Sequence, residues 1–337
     1  MTRSRSRTRS FVSVVAVAAA VLAAQTVLAP AAQAYPAVER YGGADRYAVS
    51  ALVSEKTFAP DGPVVYITSG VGFADALSAS AVAGTFNAPV LLVPHRGIPE
   101  AVATELRRLS PDRIVVAGGA ASVSDETFRL LHDFAGVVDR LDGANRYEVS
   151  TLLSGDAFRP GRPVVYVASG AVFPDALSGS AAAGSLQAPV LLTTKDFVPG
   201  VVEEELLRLR PGRIVLMGGE STVSAEVARQ LGEIAPVSRT TGADRYEVSA
   251  ATAAGFRTDI QTVYVASGLV FPDALSGSAA AIVDGAPVLL VRPDSLPGAA
   301  ATELGRLRPK HIIVLGGPST ISDSVMAELL PYVRADR

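Results

Sequence analysis

The chain of 337 residues contains no cysteine and no tryptophan, and it has three histidines. Without cysteine there is no disulfide, no thiolate nucleophile and no sulfur-held metal, so stability has to come from packed cores. Without tryptophan, and with aromatics at 6%, the flat platforms on which neutral sugars stack are scarce. His95, His132 and His311 share no HExxH or other zinc spacing. Also missing are the phosphate loops GxGxxG and GxxxxGK[ST] and the nucleophile elbow GxSxG. These absences argue against a metal, a nucleotide cofactor and covalent catalysis, and no cofactor is expected. A basic excess is lacking too, with 30 basic against 33 acidic residues, so the surface has no counterion-displacing footprint for nucleic acid.

What is present begins with a targeting pattern. Arg3, Arg5, Arg7 and Arg9 precede an apolar run from Phe11 to Leu28, and Ala32-Gln33-Ala34 forms a small-x-small site before Tyr35. Residues 1–34 are therefore expected to be a cleaved secretory signal peptide rather than a membrane anchor. Its removal leaves 26 basic against 33 acidic residues. The closing PYVRADR carries no hydrophobic tail or sorting signal, so no membrane association is expected after cleavage.

The rest of the chain repeats itself. GGADRYAVS from Gly42 returns as DGANRYEVS from Asp142 and TGADRYEVS from Thr241, offsets of 100 and 99 residues. TSGVGFADALS, ASGAVFPDALS and ASGLVFPDALS follow from Thr68, Ala168 and Ala266, then APVLL from Ala88, Ala188 and Ala286, then RIVVAGG, RIVLMGG and HIIVLGG. A period near 100 exceeds that of solenoids and equals a small domain. The expected organisation is three repeats, 35–137, 138–236 and 237–337, joined by linkers of a few residues around Val138-Asp139 and Val237-Ser238. Links that short imply that the copies pack together.

Within a copy, VVYIT, PVLLV and RIVVA are short, continuous, β-branched-rich runs, as in strands buried on both faces of a parallel sheet. Val102, Leu106 and Leu109, spaced four and three, mark a helix face, repeated by Val202, Leu206, Leu209 and by Ala300, Leu304, Leu307. The fold class is α/β. Asp45, Asn145 and Asp244 before the RY pair, and Asp75, Asp175 and Asp273 before ALS, stand where helix caps are wanted. Arg46, Arg146 and Arg245 have two readings: bidentate contact to an anionic ligand, or an ion pair to Asp75, Asp175 and Asp273. Arg108, Arg208 and Arg306 read as cations at helix C-termini. The strand-ending glycine pairs read as tight turns or close packing.

The recurrence of GADRYEVS, FPDALS, APVLL and RIVLMGG in order resembles the cell wall-binding repeat 2 family of Gram-positive surface proteins, over about Val38 to Val333. The resemblance implies three Toprim-like α/β repeats packed as a pseudo-threefold trimer within a monomer, secreted and located at the cell wall. It further implies non-catalytic, non-covalent attachment to an anionic wall polysaccharide or teichoic-acid-like polymer. A Pro-Ile-Leu-Leu motif is implicated in that family, and the matching residues here are Pro89, Leu91 and Leu92; Pro189, Leu191 and Leu192; and Pro287, Leu289 and Leu290, with valine in the second place. Three linked weak sites give avidity. Two alternatives stay open at the level of sequence: a cell-wall hydrolase, amidase-associated protein or metal-dependent phosphoester enzyme, and a surface scaffold binding another protein.

Overall fold

The computed structural model describes residues 37–334, so the signal-peptide expectation lies outside the described residues. The first repeat runs β1 (Val38–Tyr41), α1 (Arg46–Thr57), β2 (Val64–Ser69), α2 (Ala74–Thr85), β3 (Val90–Val93), α3 (Glu100–Leu109), β4 (Arg113–Ala117) and α4 (Asp125–Leu130). The second runs β5 (Val137–Leu141), α5 (Arg146–Ala157), β6 (Val165–Ser169), α6 (Phe173–Ser185), β7 (Val190–Thr193), α7 (Gly200–Leu209), β8 (Ile214–Met217) and α8 (Ala225–Gly232). The third runs β9 (Val237–Thr240), α9 (Arg245–Ala253), β10 (Thr262–Ser267), α10 (Pro272–Val283), β11 (Val288–Val291), α11 (Gly298–Leu307), β12 (His311–Leu315) and α12 (Asp323–Leu329). The apolar runs form the strands, and Val102, Leu106 and Leu109 are the buried stripe of α3.

Three four-stranded parallel sheets result, ordered β3-β2-β4-β5, β7-β6-β8-β9 and β11-β10-β12-β1. In each, the fourth strand belongs in sequence to the next repeat. Val116 of β4 is in register with Arg140 of β5, Leu216 of β8 with Arg239 of β9, and Val314 of β12 with Arg40 of β1. The stretches expected to be linkers, Val138-Asp139 and Val237-Ser238, are thus strand residues that stitch one repeat to the next. The first described strand, β1, completes the last sheet and closes the ring.

The sheets surround three central helices, α2, α6 and α10, which pack against one another in all three pairs. Their small-residue sequence permits this approach. Leu77, Leu177 and Leu275 are fully buried there, each contributing about 1.5–3 kcal/mol. Hydroxyls bridge the helices: Ser80 Oγ donates to the Leu275 carbonyl at 2.7 Å and Ser180 Oγ to that of Leu77 at 3.1 Å. Phe73, Phe173 and Phe271 close one end of this core, with ring centroids 5.4–5.9 Å apart.

The three copies are not identical at the centre, and their differences compensate. Gly84 and Gly184 correspond to Ile282, and a Cβ on Gly84 or Gly184 would lie 2.6 or 2.2 Å from that isoleucine. One large side chain therefore occupies what two glycines vacate. Where Ala79 is replaced by Gly179 and Gly277, the strand residue facing it grows from Ala117 to Met217 and Leu315. Cβ atoms on those glycines would meet Met217 at 3.1 Å and Leu315 at 2.1 Å. Constant summed volume is what close packing demands.

Candidate functional site

The helix that opens each repeat, α1, α5 or α9, starts at its RY pair and is capped by Asp45, Asn145 or Asp244. The Asp45 Oδ1 accepts from the Tyr47 and Ala48 amides at 2.9 and 2.8 Å, and Asn145 and Asp244 do the same for α5 and α9. This helix packs on its own repeat's β3, β7 or β11 and on the central helix of the preceding repeat. That placement carries Arg46, Arg146 and Arg245 to the repeat junctions.

At each junction the arginine leans over the carboxyl ends of the parallel strands, the location where open α/β sheets bind ligands. Arg46 Nη1 donates to the Gly70 carbonyl at 2.6 Å and Arg245 Nη1 to that of Gly268 at 2.5 Å; Arg146 bonds Gly170 likewise. Its charge acts on the aspartate of the preceding repeat: Arg146 on Asp75, Arg245 on Asp175 and Arg46 on Asp273. The ion pair considered within one copy is replaced by an Arg–Asp relation across copies. Arg146 also lies 5.6 Å from the centroid of the Phe73 ring, within cation–π range.

Asp75, Asp175 and Asp273 do not cap α2, α6 and α10, contrary to expectation. The cap positions are Phe73, Val172 and Phe271, none with a side-chain bond, because the helices begin before the aspartates. The carboxylates sit in the first turn, where the helix dipole favours them. Each accepts a hydroxyl from the loop after the third strand of its sheet: Ser122 at 3.2 Å, Thr222 at 3.4 Å and Thr320 at 3.4 Å. Burial pushes all three carboxyls above their ordinary range, against the opposing pull of those hydroxyls and of the junction arginines. The glycine pairs make room for them. Gly118, Gly218 and Gly316 have φ of 109°, 96° and 103°, and a Cβ there would come within 2.4–2.6 Å of the aspartate oxygen. Any side chain would be both strained and in collision.

The result is one cavity per junction, bounded by the aspartate, the second glycine of the pair and the next repeat's arginine. Asp45, Asn145 and Asp244 stand at their rims. A third arginine series, which the sequence reading passed over, braces the glycine turns behind the cavities. Arg40, Arg140 and Arg239, on the strands lent between repeats, donate to the carbonyls of Gly316, Gly118 and Gly218 at 2.9, 3.4 and 2.9 Å. Recurrence at the 100- and 99-residue offsets was the available signal.

Two sets of expected residues lie elsewhere. Pro89, Leu91 and Leu92, with Pro189, Leu191, Leu192, Pro287, Leu289 and Leu290, are buried in the core. The leucines lie in β3, β7 and β11, each strand directly preceded by its proline, beneath the opening helices, where Ser50 Oγ accepts from the Leu92 amide at 3.1 Å. Contact between these side chains and a polymer is therefore corrected to a packing role. Arg108, Arg208 and Arg306 grip Glu105, Glu205 and Glu303 and the carbonyls of Phe58, Phe158 and Phe256. Those glutamates are 4–7% exposed, and the pairs are structural clamps. Among the described residues there is no cluster of three or more metal-ligating side chains and no helix long and apolar enough to cross a membrane.

A family known as cell wall binding domain 2 matches this chain three times, over residues 40–128, 140–228 and 239–326. The chain belongs to that family. Its wall-binding repeats are similar to an amidase enhancer of Bacillus subtilis, 29% identical over 82% of this chain and 38% of that protein. They also resemble the N-acetylmuramoyl-L-alanine amidase LytC of the same organism, at 24% over 78% of this chain and 52% of that one. Among solved structures, Cwp6 from Clostridium difficile superposes with a TM-score of 0.82 at 26% identity, covering 88% of this chain and 48% of Cwp6. Cwp8 from the same organism shares the fold, with a TM-score of 0.81 at 24% identity over 89% and 52%. The chain spans about half or less of the length of the relatives it matches.

Proposed function

We propose that this chain is a secreted, non-catalytic wall-attachment protein that holds an anionic wall polysaccharide or teichoic-acid-like polymer at its three repeat junctions. The observation that carries the reading is the recurrence, at every junction, of a cavity bounded by a guanidinium from one repeat and a carboxyl from the other that is half-buried at Asp75 and buried at Asp175 and Asp273. Arg46, Arg146 and Arg245 each use Nη1 on a backbone carbonyl, which fixes the fork so that its remaining donors can meet an anion. The aspartate beside them accepts hydroxyl donors, the other functional group of a sugar-containing polymer. Three such sites on one rigid body multiply weak contacts through effective concentration. The family membership and the relatives' names support a location at the wall. Nothing in the junction provides an activated nucleophile, so the amidase activity named for a relative is not carried over.

The test is co-sedimentation with purified walls, before and after extraction of their anionic polymers. Binding should be lost on extraction, decline with salt because exposed charge contacts are screened beyond roughly 8 Å, and weaken in Arg46→Ala, Arg146→Ala and Arg245→Ala proteins that still unfold at the wild-type midpoint. Undiminished binding to extracted walls would refute the reading.

A further inference from the structure

The three junctions share the Asp–Arg relation but differ at one position. Three residues before the helix cap stand Gly42 at the junction of the third and first repeats, Asp142 at that of the first and second, and Thr241 at that of the second and third. All three face the second glycine of the pair. A Cβ on Gly119 would lie 2.2 Å from Asp142 Oδ1, and one on Gly219 would lie 3.3 Å from Thr241 Oγ1. On Gly317 it would meet only the Gly43 carbonyl at 4.0 Å. The same spot thus carries a carboxylate, a hydroxyl or bare backbone.

The cap changes in the opposite sense. Asp45 and Asp244 engage their charge in accepting two helix amides each. At the first–second junction the neutral Asn145 performs that task, and the acid has moved to Asp142, which is exposed and lines the same cavity as Asp75 and Arg146. That cavity measures about 490 Å³, against about 140 and 110 Å³ at the other two junctions. Two carboxylates near one another are favourable only with a cation or several hydrogen-bond donors between them.

We propose that the cavity between the first and second repeats selects a zwitterionic unit, its ammonium seated between Asp75 and Asp142 and its phosphate or carboxylate meeting Arg146. The other two junctions take the anionic group without requiring an amine. Asp142 is then the specificity-determining residue. This deepens the wall-polymer reading and rests on it.

The test uses two probes that share a phosphate and differ in one amine, glucosamine 6-phosphate and glucose 6-phosphate, titrated into the isotope-labelled chain. The amides of Gly119 and Asn145 report the first–second cavity, those of Gly219 and Asp244 the second–third, and those of Gly317 and Asp45 the third–first. At Gly119 and Asn145 the amino sugar should bind about tenfold more tightly, a difference of about 1.4 kcal/mol, while the other four amides respond alike to both probes. Asp142→Asn should abolish the preference at an unchanged unfolding midpoint. Equal affinities at Gly119 and Asn145, or a preference that survives Asp142→Asn, overturns the proposal and leaves the wall-polymer reading standing. Silence of all six amides with both probes overturns the two together.

Discussion

Ile282 fills the space that Gly184 leaves empty: a Cβ on the glycine would lie 2.2 Å from its Cδ1. Gly184→Ala should therefore destabilise the protein by about 1–3 kcal/mol, the usual cost of overpacking a close-packed core. Ile282→Ala should cost about 2–5 kcal/mol through the cavity it opens. Because the two changes are complementary, the double variant should be more stable than the sum of the single effects. Urea unfolding of the full cycle measures the coupling, and strict additivity would show that the two helices do not meet as described.

The buried glutamates provide a second expectation. Glu105 accepts from Arg108 Nη2 at 2.6 Å and also from Ser54 Oγ. Glu105→Ala leaves that guanidinium with only the Phe58 carbonyl and should lower stability by about 3 kcal/mol. In the third repeat the serine's counterpart is Ala253, so Glu303→Ala should be the milder change. Parallel denaturant titrations compare them, and a larger loss for Glu303 would contradict the assigned role of Ser54.

The junction aspartates carry a pH dependence whose sign follows from burial. A folded-state carboxyl held above its ordinary range binds more protons than the unfolded chain does, so its contribution to stability is present at low pH and lost as pH rises through the folded value. Asp75, Asp175 and Asp273 are all raised in this way. Asp175→Asn should consequently gain stability at neutral pH, with the gain shrinking toward pH 4. A gain at neutral pH accompanied by weaker wall binding would mark a site kept for function at the expense of stability. Melting curves from pH 4 to 8 decide the sign.

Ring closure can be examined by removal of one strand. A chain starting at Gly42 lacks β1 and uncovers the edge of β12, beside which the Gly316 amide donates to the Tyr41 carbonyl at 2.8 Å. Exposed parallel edges recruit other chains. Hydrogen exchange should accelerate in β12 and β10 ahead of β2 and β6, and size-exclusion should show concentration-dependent oligomers. Uniform protection in a monomer would mean that the lent strand contributes little.

Much of this architecture could be read from the residues, and the parts that could not have identifiable causes. VVYIT and PVLLV announce buried parallel strands because both faces of such a strand are apolar, and the buried positions of α3 follow its 3.6-residue period. The exchange of strands was hidden: VVDRL is polar enough to pass for a connector, and nothing in it says whether it pairs with the sheet before or after it. Asp75 fits the grammar of a cap, yet the helix begins earlier, a geometric fact set by packing at the Phe73 cluster. Pro89 and Leu92 illustrate the reverse. Their apolar pattern already described a core strand, and the expected ligand role came from resemblance alone.

The lent strands also fix a number. A solenoid accepts another module at either end because each unit meets its neighbour through an open face. Here β1 and β12 are hydrogen-bonded neighbours, so no open face is left over, and a fourth copy could enter only by prising the ring apart and widening a centre that one isoleucine already fills. The first and last described strands meet in one sheet, which makes the molecule a natural subject for circular permutation. New ends cut between Phe134 and Val137, with the old ones joined, would rename which repeat is first and leave every junction in place.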